Sequence, residues 1–174
     1  MIGHAAQLKQ PDFLAYIAGV AAPRTYLEVG VRDGDSVFAV LRGTGTISKL
    51  ILCDNWGYVH GGTGRGSHDH IATALKTRYT GEVQYLDGNS GELLPQLPSR
   101  AADMSHVDGD HSMEGELSDL RLVWQRTRSV MVVHDIYMPT VWEAVSTFLQ
   151  EAIRQITRTE TALGDTGTIA IWRA

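Results

Sequence analysis

Five short apolar runs punctuate this chain, and each meets a glycine or an acid at its end. Tyr26–Val31 meets Gly30, Ile47–Cys53 meets Asp54, Val83–Leu86 meets Asp87, Ala102–Val107 meets Asp108, and Ser129–Val133 meets His134-Asp135. The runs lack the polar alternation of a half-exposed strand. They read as strands buried on both faces, which is the habit of parallel sheets covered by helices. Amphipathic segments separate them. Phe13, Leu14, Ile17 and Val20 mark a helix over Pro11–Val20. Ser36–Leu41 reads as a short helix capped by Asp35 or Ser36, and His70–Tyr79 as another. Ser90–Leu97 is helical until Pro98, Ser112–Trp124 carries Leu117, Leu120 and Trp124 on one face, and Thr140–Ile156 carries Val141, Val145, Phe148, Leu149 and Ile153. Arg158–Leu163 and Thr168–Trp172, split by Gly164-Asp-Thr-Gly167, read as a hairpin. The predicted fold is α/β: a Rossmann-like, doubly wound, mostly parallel seven-stranded sheet with a C-terminal antiparallel hairpin and helices on both faces.

Composition narrows the function classes. A chain of 174 residues without internal repeats is expected to form a single domain over 1–174. With 43% hydrophobic residues and only 5 prolines it can build a core without staples. Its net charge is −5 and it has no lysine- or arginine-rich run, so a basic footprint for nucleic acid is not expected. No apolar stretch approaches the 18 or so residues of a membrane span, and the N-terminus lacks the regions of a signal peptide. The expectation is a soluble cytoplasmic protein whose partner is a small molecule, and a short chain of this kind invites a homo-oligomer. The lone cysteine, Cys53, sits in an apolar run and reads as a buried, inert thiol.

A sheet of this type binds ligands beyond the carboxyl ends of its strands, so the residues there carry the functional reading. The first such loop is Glu28-x-Gly30-x-x-x-Gly34, and Asp54 follows 20 residues after Gly34, a spacing that suits a carboxylate on ribose hydroxyls. Neither G-x-G-x-x-G nor G-x-x-x-x-G-K-[ST] is present. Glu28 and Asp33 would repel a pyrophosphate but suit a nucleoside with a cationic tail, and S-adenosylmethionine is one. Asp87-Gly88-Asn89-Ser90 offers hydrogen-bonding groups to an adenine edge, or a helix cap, or both. In Val107-Asp108-Gly109-Asp110-His111-Ser112, Asp108 joins Asp135 as hard oxygen ligands for Mg²⁺ or Mn²⁺, with His111 as general base. The plainer alternative there is a turn capped by Asp110 or Ser112. The Gly- and His-rich stretch 57–70 reads as a flexible lid in preference to an auxiliary metal site through His60, His68 and His70. His106 reads as a core histidine. Tyr137 and Met138 read as a wall of an acceptor site, and Trp142 as wall or core.

These motifs, in this order, resemble the class I S-adenosylmethionine-dependent methyltransferases. They are most similar to the small O-methyltransferase-like group with macrocin-type and catechol-type enzymes, methyltransferase domain family 24, over residues 10–174. The resemblance implies that Glu28 and Gly30 line the methionine pocket, Asp54 binds the ribose, and Asn89 and Ser90 border the adenine. Arg32, Gly34, Asn55 and Gly88 complete the cofactor set. Asp108 would sit beside the cofactor and hold a metal, His111 would be the base, and Asp135 a second metal ligand. His134 stands where metal-dependent relatives place a carboxylate or amide. It joins the metal set as a softer ligand or only orients Asp108. The function so implied is O-methylation of a small-molecule hydroxyl with divalent-metal assistance. The alternatives are metal-independent N- or C-methylation, a cofactor-binding module without turnover, and another nucleotide-binding enzyme on the same architecture.

Overall fold

The computed structural model describes residues 7–57 and 65–174, with the side chains of 65–67 excluded. The elements run in chain order as α1 (Gln10–Ala21), β1 (Thr25–Val29), α2 (Asp35–Gly43), β2 (Lys49–Asp54), α3 (Arg65–Arg78), β3 (Glu82–Asp87), α4 (Ser90–Leu93), β4 (Ala102–Val107), α5 (Met113–Arg126), β5 (Thr127–Val133), α6 (Pro139–Ala152), β6 (Ile156–Ala162) and β7 (Thr168–Arg173). Seven strands form one sheet in the order β3-β2-β1-β4-β5-β7-β6. The first five are parallel, and β7 enters antiparallel between β5 and β6. This is the expected doubly wound sheet with its terminal hairpin.

Alternation along the strands divides the core in two. Tyr26, Leu50, Leu52, Met104, Val130 and Val132 pack under α1, α2 and α3. Leu27, Val29, Ile51, Val107, Met131 and Val133 pack under α5 and α6. Both faces are therefore apolar, which is why the strands read as continuous hydrophobic runs. No helix among the described residues is long and apolar enough to cross a membrane.

Two boundaries differ from the sequence reading. Helix α3 begins at Arg65, ahead of the expected start at His70, and takes in His68, which the reading left in a loop. His68 packs edge-on against Trp56 and Tyr85 at 5.0 and 4.9 Å, and aromatic burial holds it to the helix. His60 lies outside the described residues. Helix α2 starts behind Gly34, at φ 83°, with no side-chain cap, because the Ser36 hydroxyl turns inward to donate to Glu28.

Candidate active site

The backbone ladder continues past the strands and brings their ends into register. Gly30 N–H donates to Cys53 O, Gly88 N–H to Asp54 O, Asp108 N–H to Val29 O and His134 N–H to Val107 O, at 2.9–3.1 Å. The result is one cleft of about 380 Å³. Gly30, Arg32, Asp54, Asn55, Gly88, Asn89, Ser90, Asp108, His111, His134 and Asp135 all line it. Several of these positions carry unusual backbone. Arg32, Trp56 and Asp135 have φ of 49°, 53° and 54°, a region that non-glycine residues seldom occupy outside functional sites. Gly30 is required by contact as well as by its φ of 82°, since a Cβ there would lie 1.9 Å from Asp108 O.

At the mouth of the cleft, Asp108 stands between two imidazoles. His111 Nε2 lies 3.3 Å from Asp108 Oδ1 and 3.4 Å from Asp135 Oδ2. His134 Nδ1 lies 3.2 Å from Asp108 Oδ2, and its Nε2 lies 3.0 Å from the Thr166 hydroxyl in the β6–β7 turn. His134 thus bridges Asp108 and Thr166, and these two contacts fix its orientation. Burial pushes the Asp108 carboxyl up, but hydrogen bonds from His111 and His134 outweigh it and hold the group far below the usual carboxylate range. The same bond to Asp108, against partial burial, raises His111 above its ordinary value.

Asp108, His111 and Asp135 each offer one ligand atom, and these atoms lie within 4.8 Å of one another. Two carboxylates and an imidazole suit a divalent ion of the Mg²⁺–Mn²⁺ kind. The expected trio was Asp108, His134 and Asp135. Among the described residues the ligand atoms that converge are those of Asp108, His111 and Asp135, while His134 contacts Asp108 through Nδ1 and Thr166 through Nε2, the orienting option of the sequence reading.

Other predicted residues have structural duties too. Asp54 Oδ2 accepts from Val31 N–H and Arg32 N–H at 2.8 Å, and Oδ1 from Trp56 N–H at 2.6 Å. It clips the glycine loop to the end of β2. Asn89 caps α4 by accepting from Gly91 N–H at 2.8 Å, and Ser112, not Asp110, caps α5. Two predicted residues do not reach the cleft. Glu28 is fully buried on the α1–α3 side, where Tyr26 Oη donates to it at 2.7 Å, Ser36 donates to it, and His106 lies 3.6 Å away. Strand alternation aims Glu28 beneath the cleft, and His106 is a core histidine as expected. Gly34 packs against Ile71 and shapes the turn without lining the cavity. Trp142 stands 48% exposed beside exposed Tyr137 and Met138, so it is no core residue.

Sequence reasoning missed Asp119. It lines the cleft from α5, 4% exposed, and accepts from the Ser90 hydroxyl at 2.6 Å. Burial raises its carboxyl to about 6. Glu116, one turn earlier and 1% exposed, is pushed by burial and the neighbouring acids to about 8. The signal was available: Glu116, Asp119, Leu120 and Val123 share a helix face, and acids on an apolar face demand a reason. Cys53 is buried at the floor, and burial pushes its thiol up to about 12, so it is inert.

The sequence matches a methyltransferase domain over residues 27–136. The chain belongs to the methyltransferase domain family. Solved structures agree in fold. An S-adenosylhomocysteine-bound methyltransferase from Podospora anserina is 16% identical with a TM-score of 0.68, covering 95% of this chain and 78% of that one. An O-methyltransferase from Bacillus cereus, in complex with S-adenosylhomocysteine, is 13% identical with a TM-score of 0.69, covering 98% and 84%. An O-methyltransferase of tomaymycin synthesis from Streptomyces achromogenes, in complex with S-adenosylmethionine, is 19% identical with a TM-score of 0.64, covering 97% and 82%. A search of curated proteins gives no match. As the motifs implied, the chain is an S-adenosylmethionine-dependent methyltransferase on the Rossmann-like fold of class I. The matched segment opens inside β1 and closes just after Asp135, so it spans every strand end of the cleft.

Proposed function

We propose that this methyltransferase transfers the methyl group of S-adenosylmethionine to a hydroxyl of a small molecule. The observation that carries the reading is the meeting of Asp108, His111 and Asp135 at the mouth of a cleft whose other walls are Gly30, Asp54 and Asn89-Ser90. The nucleoside fits against the acids of β2 and the α4 turn, and the sulfonium fits beside the Gly30 loop, where Asp108 supplies negative charge. Exposed Tyr137, Met138 and Trp142 follow Asp135 directly and offer the acceptor an apolar border.

In the reaction the acceptor oxygen attacks the methyl carbon in line with the departing sulfur. A C–O bond forms, the C–S bond breaks, and the hydroxyl proton leaves. Asp108, His111 and Asp135 are the residues that would hold a divalent ion. When bound, such an ion supplies positive charge beside the acceptor oxygen and lowers its pKa. His111 Nε2 has one lone pair, so ligation and proton removal exclude each other. In the ion-free site a neutral His111, its ring proton on Nδ1, takes the hydroxyl proton at Nε2, and the Asp108 and Asp135 carboxylates stabilise the imidazolium that results. His134 keeps Asp108 in place, held in turn by Thr166.

The test is calorimetric titration with S-adenosylhomocysteine, with and without Mg²⁺ or Mn²⁺, followed by methyl transfer to a panel of hydroxyl acceptors. Micromolar binding and transfer to oxygen support the reading. Absence of binding under both conditions overturns it.

A further inference from the structure

The amino ends of the strands carry a second groove, of about 550 Å³. It is lined by Arg100, Arg121, Arg126 and Arg173 around Trp124, with Glu151 as the one carboxylate among the described lining residues. Its distance from the cleft is about one strand length, since Arg126 precedes β5 and His134 follows it. At about 3.3 Å per residue that is roughly 25 Å. In a chain of net charge −5, four guanidiniums converging on one groove is a marked concentration of positive charge.

The state of these guanidiniums points to a ligand. Glu151 is taken by Arg121, through Nε at 2.9 Å and Nη2 at 2.5 Å. Arg126 is 8% exposed, yet its Nη1 donates only to neutral oxygens, Leu122 O and Gln125 Oε1. Arg173 lies over the Trp124 ring at 4.1 Å and donates only to Gln155 Oε1 and Trp124 O. The Nε groups of both arginines are buried without a hydrogen-bond partner among the described residues. Arg100 has no anionic partner among the described residues either. Its backbone sits at φ 56°, outside the regions most side chains adopt. Natural proteins seldom bury an arginine without an anion, because desolvation is costly unless the charge is answered.

We propose that this groove is a binding site for a phosphoryl-bearing anion, held by Arg100, Arg126 and Arg173. Forked guanidiniums match phosphate oxygens two at a time, and a doubly charged group answers several of them together. Trp124 is not available for stacking, since Arg173 covers one face and Phe148 meets it edge-on at 5.6 Å. Recognition is therefore of the phosphoryl group, and an aromatic base is not required. Inorganic pyrophosphate and a phosphorylated metabolite present the same chemistry.

The experiment is calorimetric titration of the full chain with inorganic pyrophosphate at constant ionic strength, with sodium sulfate and sodium chloride as comparison salts. The expected result is saturable submillimolar binding of pyrophosphate. Arg100→Ala, an exposed position, should weaken it at least 10-fold while leaving S-adenosylhomocysteine affinity unchanged. That unchanged affinity shows the fold intact and separates this site from the cleft. Arg121→Ala, which releases Glu151 into the groove, should weaken it as well. A wild-type titration without saturable heat at 10 mM, equal affinity in Arg100→Ala, or equal binding of chloride overturns the proposal.

Discussion

At the carboxyl ends of the strands, Asp108 is answered by two imidazoles and Asp54 by three backbone N–H groups. At the amino ends, among the described residues, Arg126 is answered by carbonyl and amide oxygens and Arg173 by the same kinds of oxygen and the Trp124 ring. At the acidic end Asp108 and Asp54 are answered from within the protein, so these side chains are held in position before any ligand arrives. The basic end is less fully answered, so part of its charge awaits a partner. One sheet thus carries a preorganised reaction cleft and an uncompensated anion groove on opposite edges. The difference shows that charge content alone does not identify a site. How the charges are paired does.

The comparison can be broken most severely at Gly30. Gly30→Ala puts a methyl group into Asp108 O, and its φ is unfavourable for alanine. We expect a loss of about 3 kcal/mol or more, measured by chemical denaturation, together with loss of cofactor binding. Asp108→Asn tests the chemistry without the clash. Turnover should fall by about 100- to 1,000-fold, and the melting temperature should fall as well, because the ionised carboxylate anchors both imidazoles. His111→Ala should cost turnover on the order of 100-fold while S-adenosylhomocysteine affinity holds, and an unchanged rate would remove His111 from the reaction.

Glu116→Gln sharpens the acidic end. The folded-state value of about 8 lies above the ordinary 4.5, so the folded protein keeps a proton that the unfolded chain releases between those values. Stability from this group therefore falls as pH rises through that window. Melting curves should show Glu116→Gln gaining about 5 °C over wild type at pH 8.5 and little at pH 4.5. The smallest effect belongs to the basic end. Arg100→Ala, without added anion, should leave methyl transfer unchanged within about twofold and the melting temperature within about 2 °C, because the side chain is exposed and remote from the cleft.

Much of the fold was legible because parallel strands buried on both faces write themselves as unbroken apolar runs, and all seven strands and their order of appearance followed. The helix ends were less so. Gly34 took the start of α2 because Ser36 had a stronger use as a donor to buried Glu28. At the site, the acids and glycines at the strand ends were readable from position alone. The contact of His134 with Thr166 was not, because Thr166 lies 32 residues away and meets it through the hairpin. Asp119 and Glu116 were readable in principle as acids on an apolar helix face. The arginine groove was not, since its four members are scattered from 100 to 173 and only the fold collects them.

The hairpin sets an order of events during synthesis. Thr166 and Gly167 accept backbone hydrogen bonds from Tyr137 and Ile136, and the Thr166 hydroxyl fixes the ring of His134. Until β7 has left the ribosome, β5 has a bare edge and Asp108 lacks a steadied neighbour. A chain without β7 is therefore expected to lack the ordered His134–Asp108 pair even where β1 to β5 have formed.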